Sequence, residues 1–136
     1  MSKDTPQPFD LSSTYVHLGL GAVAIPVPDF EWSQDFLERY ARDTDLDGPE
    51  GRLVCITRQD ASWTSWERHP AGDEVVVQLS GIVRLIQELE DGERSLELTP
   101  GKAIINPRNV WHTADVVEPG DALFITPGVG TQHRGR

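Results

Sequence analysis

Four side chains that could bind a metal ion are spread along the sequence: Glu67, His69, Glu74 and His112. Imidazole nitrogens and carboxylate oxygens are ligands for Fe, Mn, Ni, Zn and Cu ions. Alternate side chains of a β-strand point to the same face, so Glu67 and His69 point the same way if residues 62–69 form a strand. If that face lines the interior of a barrel, the two side chains share a confined space.

Glu74 and His112 join them if their strands also turn these residues inward. Glu74 would then share its face with Val76 and Gln78, and His112 would share a face with Ala114. Charged and polar groups among apolar side chains are costly to bury without partners. A divalent cation between the imidazoles and carboxylates would supply the partner, so the pattern predicts a metal centre.

The elements that must position these residues are predicted from periodicity and turn signals. Apolar residues recur at helical spacing over residues 29–42, which predicts a helix with Asp29 as its N-cap. From residue 51 to residue 126, short apolar runs alternate with turn dipeptides such as Asp91-Gly92. That pattern is typical of the strands of an all-β sandwich or small barrel.

Composition limits the classes of partner. The 136 residues include 12 Lys+Arg and 22 Asp+Glu, a formal net charge of −10. Nucleic acids and anionic membranes attract cationic surfaces, so neither is an expected partner. No run of about 18 apolar residues predicts a membrane span, and the N-terminus lacks a secretory signal, which predicts a cytoplasmic protein. The lone Cys55 cannot form an internal disulfide and is expected to be buried and inert.

The spacing of the candidate ligands resembles the first motif of the cupin superfamily. Four residues separate His69 from Glu74, and six more separate Glu74 from Gly81, as in that motif. Glu67 stands where the family has its first histidine, and Ala61 stands where it has its leading glycine. The resemblance is therefore strong in spacing and departs from the family at one ligand position.

The second cupin motif is matched by Gly101, Pro107 and His112 at the family's spacing. Asn109 replaces a glycine, an exchange that is tolerated where φ is positive. Val116 replaces the final asparagine. The two motifs and the strands between them cover nearly half of the chain.

The resemblance implies a cupin-type double-stranded β-helix, a jelly-roll barrel like that of small single-domain, RmlC-like proteins. The domain would span residues 13–128, between a flexible N-terminus at 1–12 and a C-terminal tail at 129–136. The family also implies chemistry on a small organic molecule, of a dioxygenase or isomerase kind, and a homodimer. Fold alone does not choose a reaction, and a non-catalytic small-molecule-binding or metal-free structural cupin is the alternative.

The resemblance further implies a divalent transition metal (Fe, Mn, Ni or Zn) held by His69, Glu74 and His112. Two roles are open for Glu67. It is either a fourth ligand through oxygen, or it pairs with an arginine in a barrel without metal. The candidate arginines are Arg68, Arg84 and Arg108.

Predictions for other residues follow from the strand face on which they lie and from their position in the chain. Trp63, Ser65 and Gln78 share faces with the candidate ligands and are predicted to shape a pocket. His17 and His133 lie near the chain ends and are predicted to be surface or interface residues.

Two further segments carry predictions of their own. Val75, Val77 and Leu79 should form an outward apolar strip, and such strips mark interfaces. The acidic segment Asp43–Gly48 matches half of a calcium loop, and a solvated connection between helix and strand is the favoured interpretation.

Overall fold

Short apolar runs punctuated by glycine and proline fold into antiparallel strands in the computed structural model, which describes residues 7–136. Within that range the chain forms eleven strands and one α-helix. Their bounds are β1 (Tyr15–Gly19), β2 (Val23–Val27), α1 (Gln34–Asp43), β3 (Arg52–Gln59), β4 (Ser65–Arg68), β5 (Glu74–Gln78), β6 (Ile82–Leu89), β7 (Gly92–Leu98), β8 (Ala103–Asn106), β9 (His112–Glu118), β10 (Gly120–Thr126) and β11 (Gln132–Gly135).

The strands form two antiparallel sheets. The first sheet has the order β2-β1-β3-β10-β5-β8 and the second has the order β11-β4-β9-β6-β7. Apolar side chains from both sheets pack into one cluster between them, so the sheets face each other across the main core. This arrangement confirms the predicted all-β jelly-roll. The buried members of the cluster are Val76, Val83, Leu85, Leu98, Ala114 and Ala122.

A second core lies where α1 and the preceding segment cover the first sheet. Tyr15, Leu53 and Cys55 are buried there against Phe30 and other aromatic residues. The buried position expected for Cys55 is confirmed. No helix in the described part of the chain is long and apolar enough to cross a membrane.

The helix begins later than its periodicity predicts. Asp29 has a φ of 54° and lies outside the helix, so the prediction that it is the N-cap was wrong. Ser33 is the N-cap instead, and its Oγ accepts a hydrogen bond from the Phe36 N–H at 3.2 Å. A serine hydroxyl satisfies one of the free N–H groups of the first turn as well as an aspartate does.

Two turns require an unusual backbone. Asn109 has a φ of 65°, which confirms that it substitutes for the glycine of the second motif. Gly81 has a φ of 70°, and a Cβ there would lie 2.5 Å from the carbonyl oxygen of Glu118. Glycine is therefore required at position 81 for both backbone conformation and space.

Two strands form where none was predicted. Residues 23–27, for which the sequence predicts no strand, contain a proline but pair with β1 as an edge strand, where a missing N–H is tolerated. Residues 132–135 were expected to belong to a tail, yet they pair with β4. The expected flexible N-terminus lies partly outside the described residues, and Leu11 at its end accepts a hydrogen bond from the Ile56 N–H.

Candidate metal centre

Four side chains from three strand regions meet at one end of the barrel. Glu67 lies on β4, His69 follows that strand, Glu74 begins β5 and His112 begins β9. One ligand atom from each of them lies within 4.8 Å of the others. The side chains of His112, Glu74 and His69 are at most 3% exposed, whereas that of Glu67 is 24% exposed. Glu67 therefore marks the side from which solvent reaches the cluster.

The Nε2 atoms of the two histidines face the carboxylates. His69 Nε2 lies 2.9 Å from Glu67 Oε1 and 3.2 Å from Glu74 Oε2. His112 Nε2 lies 3.7 Å from Glu67 Oε1 and 3.4 Å from Glu74 Oε1. Although two of these distances are short, none has the direction of a hydrogen bond, and both buried Nε2 atoms lack a hydrogen-bond partner.

The other ring nitrogen of each histidine is bonded to the protein. His69 Nδ1 lies 2.9 Å from the Thr131 hydroxyl, which itself donates to the Gly128 carbonyl. Because that hydroxyl has one hydrogen, it must accept from the N–H at His69 Nδ1. His112 Nδ1 faces the Val110 carbonyl at 3.4 Å, and a carbonyl also only accepts. Both Nδ1 atoms therefore carry a proton, which leaves Nε2 as the ligand atom.

Glu74 is held by a chain of buried polar side chains. Its Oε1 accepts from Asn106 at 3.0 Å, and its Oε2 accepts from the Thr126 hydroxyl at 2.6 Å. Asn106 in turn accepts from Gln87 at 2.9 Å, and Gln87 accepts from Arg94 at 2.7 Å. Partners of this kind orient metal ligands. The sequence analysis did not predict these partners of Glu74, because buried amide side chains form no recognisable sequence motif.

Glu67 does not pair with an arginine. Its Oε2 lies 2.9 Å from His133 Nε2, while its Oε1 faces the two buried imidazoles. Among the described residues, neither Arg68, Arg84 nor Arg108 forms an ion pair with it, so the predicted pairing with an arginine was wrong. His133 is 58% exposed, as expected for a surface residue, but it also contacts this candidate ligand.

The electrostatics of the cluster follow from burial and mutual attraction. Burial disfavours the charged form of His69, but the carboxylates of Glu67 and Glu74 outweigh burial and raise its pKa to about 9. Burial likewise disfavours the charged form of Glu67, but the imidazoles of His112 and His69 hold the pKa of that carboxyl well below its usual range. In the absence of a metal, the cluster therefore holds a proton between carboxylates.

The donor set fits a divalent transition metal. Two imidazole nitrogens and two carboxylate oxygens suit Fe(II), Mn(II), Ni(II) or Zn(II). Two ligand atoms that each lay about 2.1 Å from one metal ion would be at most about 4.2 Å apart, and the ligand atoms of the cluster lie within 4.8 Å of one another. The two buried Nε2 atoms without a hydrogen-bond partner are, in addition, groups that a cation could ligate.

The interior beyond the cluster is almost filled. A cavity of about 10 Å³ remains between the sheets, lined in part by Trp63 and Gln78 but not by Ser65. The Trp63 indole N–H donates to Gln59, and the Gln78 amide nitrogen donates to the Ser80 carbonyl. A cavity of that size holds about one water molecule.

His17 is not a surface residue, and that prediction was wrong. It is 2% exposed, because β1 turns it into the second core. Its Nδ1 lies 2.6 Å from the Tyr40 hydroxyl, and its Nε2 lies 2.6 Å from Asp47 Oδ2. A Cβ at Gly51 would lie 2.9 Å from the ring, so the chain packs tightly around it. This cluster is closed and fully bonded.

The acidic connection after α1 is part of that same cluster. Residues 45–50 form a 3₁₀ turn, and Asp47 also accepts a hydrogen bond from the Leu20 N–H at 3.0 Å. The His17 and Leu20 contacts hold the pKa of Asp47 below its usual range. Asp47 would be a ligand in a calcium loop, but its carboxylate is bonded to His17 and Leu20 instead.

Comparison with known proteins identifies the fold. No family model matches the sequence, and no curated protein matches it. Among solved structures, oxalate decarboxylase of Bacillus subtilis, an enzyme with Mn(II) centres, has a TM-score of 0.54 and 15% identity over 70% of this chain and 26% of that chain. A cupin-2 domain protein of Shewanella frigidimarina has a TM-score of 0.48 and 20% identity over 56% of this chain and 70% of that chain. The chain has the cupin fold, and at 15% identity the likeness to oxalate decarboxylase shows the fold alone.

Proposed function

We propose that this protein binds one divalent transition metal ion through Glu67, His69, Glu74 and His112. The observation that carries the proposal is the pair of buried, unpartnered Nε2 atoms, which face two carboxylates. An unpaired polar atom in a protein interior is costly, and a metal ion would remove that cost at both histidines. Glu67 then has the role of a fourth ligand.

We further propose that the centre acts on a small organic molecule. This molecule would bind at the mouth of the centre, the solvent-exposed side marked by Glu67. A bound metal ion with open positions polarises a carbonyl group or activates dioxygen. The chain itself excludes water from three of the ligands and leaves one carboxylate at the solvent side. Because the interior cavity is about 10 Å³, a substrate must lie at the mouth rather than inside the barrel.

The filled interior also favours a second candidate, a cupin that binds metal without catalysis. Trp63 donates its indole N–H to Gln59 and the Gln78 amide donates to the Ser80 carbonyl, so these two donors are used within the protein. The two candidates differ at the mouth. In the catalytic case, small carboxylic acids or phenols should perturb the spectrum of Co²⁺ bound at the centre, whereas in the other case they should not.

Elemental analysis tests the metal proposal most simply. Protein soaked with Fe²⁺, Mn²⁺, Ni²⁺ or Zn²⁺ and then desalted should retain about one equivalent, because four ligand side chains converge. His112→Ala should abolish retention while the far-UV circular dichroism stays unchanged. Retention of less than about a tenth of an equivalent by the unaltered protein would contradict the proposal.

We also propose that the chain forms a homodimer through the outer face of the first sheet. Paired residues on neighbouring strands form a continuous apolar row across that face, a feature that marks interfaces on folded domains. Ile105 in this row is 56% exposed, and Leu79, four residues along the chain from Val75, is 42% exposed. The row consists of Ile105, Val75, Ile125, Val54 and Val16.

Light scattering tests the dimer. The protein should have twice the chain mass of 15.1 kDa, and Ile105→Lys should reduce it to one chain mass, because a buried lysine would lack a partner. Leu46→Lys is the matched control, since Leu46 is 94% exposed and lies away from this face. A single chain mass for the unaltered protein would contradict the dimer.

A further inference from the structure

The segment after β10 touches two of the four candidate ligands. Thr131 precedes β11 and bonds to His69, and His133 lies on β11 and bonds to Glu67. Both contacts reach side chains of the β4 region, which supplies the first cupin motif. One short segment near the C-terminus therefore contacts the half of the centre where the sequence departs from that motif.

The direction of the His133 side chain follows from strand pairing. His133 is the register partner of Glu67, so both side chains lie on the inner face of the second sheet. The neighbouring residues of β11 point to the outer face, where Gln132 accepts from Arg68 at 2.6 Å. Arg134 lies there over the rings of Trp111 and Trp66, at 4.6 and 5.2 Å. The outer contacts anchor the strand, and the anchored strand presents His133 to the centre.

The contact with His133 gives the two carboxylate oxygens of Glu67 different partners. Oε2 is bonded to His133 at 2.9 Å, so Oε1 is the oxygen that faces His69 and His112. Because one oxygen is bonded to His133, only the other oxygen of Glu67 would be able to bind a metal ion. Without that contact, the partly exposed Glu67 side chain could rotate or offer both oxygens.

Thr131 acts on the other ligand of this region. Its hydroxyl donates to Gly128 and must accept from the Nδ1–H of His69, which leaves Nε2 directed at the centre. This partner fixes both the tautomer and the rotation of the ring. The loop of residues 128–131 and β11 thus supply two separate constraints.

We propose that the C-terminal segment 128–135 completes the metal centre, with Thr131 and His133 as positioning residues for His69 and Glu67. The inference rests on the proposed function, because it concerns how the same four ligands hold their ion. It assigns a role to His133, which stands across from the position at which Glu67 replaces the first motif histidine. A hydrogen-bonded carboxylate takes the place of that imidazole.

Titration with Co²⁺ tests the proposal, because its visible absorption reports coordination as well as affinity. His133→Ala and Thr131→Val should each weaken Co²⁺ binding by about 10- to 100-fold, as expected when a partner of a metal ligand is lost. His133→Ala should also change the Co²⁺ absorption, since Glu67 is freed. His133→Gln should restore much of the affinity, because its amide can donate to Glu67 Oε2.

The matched control is Gln132→Ala, which removes an outer contact of the same strand. It should lower the melting temperature at least as much as His133→Ala but leave both Co²⁺ affinity and absorption unchanged. Wild-type affinity and spectrum in both His133→Ala and Thr131→Val would overturn the inference and leave the metal site intact. Failure of the unaltered protein to bind Co²⁺ would overturn the proposed function and this inference with it.

Discussion

The histidine on β1 and the two histidines of the candidate metal centre are buried to the same degree but partnered differently. His17 has both ring nitrogens within 2.6 Å of Tyr40 and Asp47. His69 and His112 each have one bonded nitrogen and one Nε2 without a hydrogen-bond partner. The difference teaches that burial alone does not mark a ligand. A buried imidazole with an unpartnered nitrogen aimed at carboxylates does.

The largest expected effect is the loss of metal binding when His112 is substituted, which the His17 cluster should not show. His112→Asn keeps a donor toward Val110 and removes Nε2, so retention of metal should fall from about one equivalent to less than about a tenth. The metal-free variant should still melt cooperatively, which separates loss of metal from loss of the fold. Elemental analysis and thermal melting measure both results, and full retention would show that His112 is not a ligand.

The converse substitution should affect stability and spare metal binding. His17→Ala empties a buried site, leaves the Tyr40 hydroxyl without its imidazole partner and leaves Asp47 bonded only to the Leu20 N–H, which should reduce the free energy of unfolding by about 3 kcal/mol. Urea denaturation of the metal-free protein measures the loss. The variant should still retain about one metal equivalent per folded chain. Loss of metal from a folded His17→Ala protein would break the distinction between the two regions.

The pH dependence of the metal-free protein provides a third test. The pKa of His69 rises from 6.5 to about 9 on folding, so the folded state holds its proton more tightly than the unfolded state. The stability from this group is complete below pH 6.5 and is lost as pH rises through about 9. Unfolding in urea from pH 6 to 10 should show this fall, and saturating Zn²⁺ should remove it. A flat profile without metal would contradict the proton-holding cluster.

The smallest expected effect concerns the orientation of one ligand. Thr126→Val removes the hydroxyl that donates to Glu74 Oε2 at 2.6 Å, so Zn²⁺ affinity should weaken by about tenfold. Calorimetric titration measures the change. Thr57→Val is the control, because its hydroxyl bonds to Gln59 and not to a candidate ligand. Equal affinities in parent, Thr126→Val and Thr57→Val would show that Glu74 needs no such partner.

The sequence predicts the barrel well where strands are buried. Residues 82–89 are rich in apolar side chains and are followed by the turn dipeptide Asp91-Gly92, and the structure places β6 at Ile82–Leu89. Spacing across two motifs also predicts the convergence of His69, Glu74 and His112, because parity determines which face each side chain occupies. Even the backbone of Asn109 follows from the motif.

The missed features share a physical cause. β11 reads Gln-His-Arg-Gly, without apolar alternation, because it is an edge strand anchored by polar and cationic contacts. The sequence of β11 therefore looks like that of an unstructured C-terminal tail. The partners of Glu74 and the burial of His17 depend on contacts between distant segments, and no local pattern reports those.

An anomalous-diffraction map of crystals grown with Zn²⁺ tests the central claim most directly. The account predicts one peak within about 2.3 Å of the Nε2 atoms of His69 and His112, with oxygens of Glu67 and Glu74 also bound. A map with no peak between these side chains, or with zinc bound only elsewhere on the chain, would contradict it.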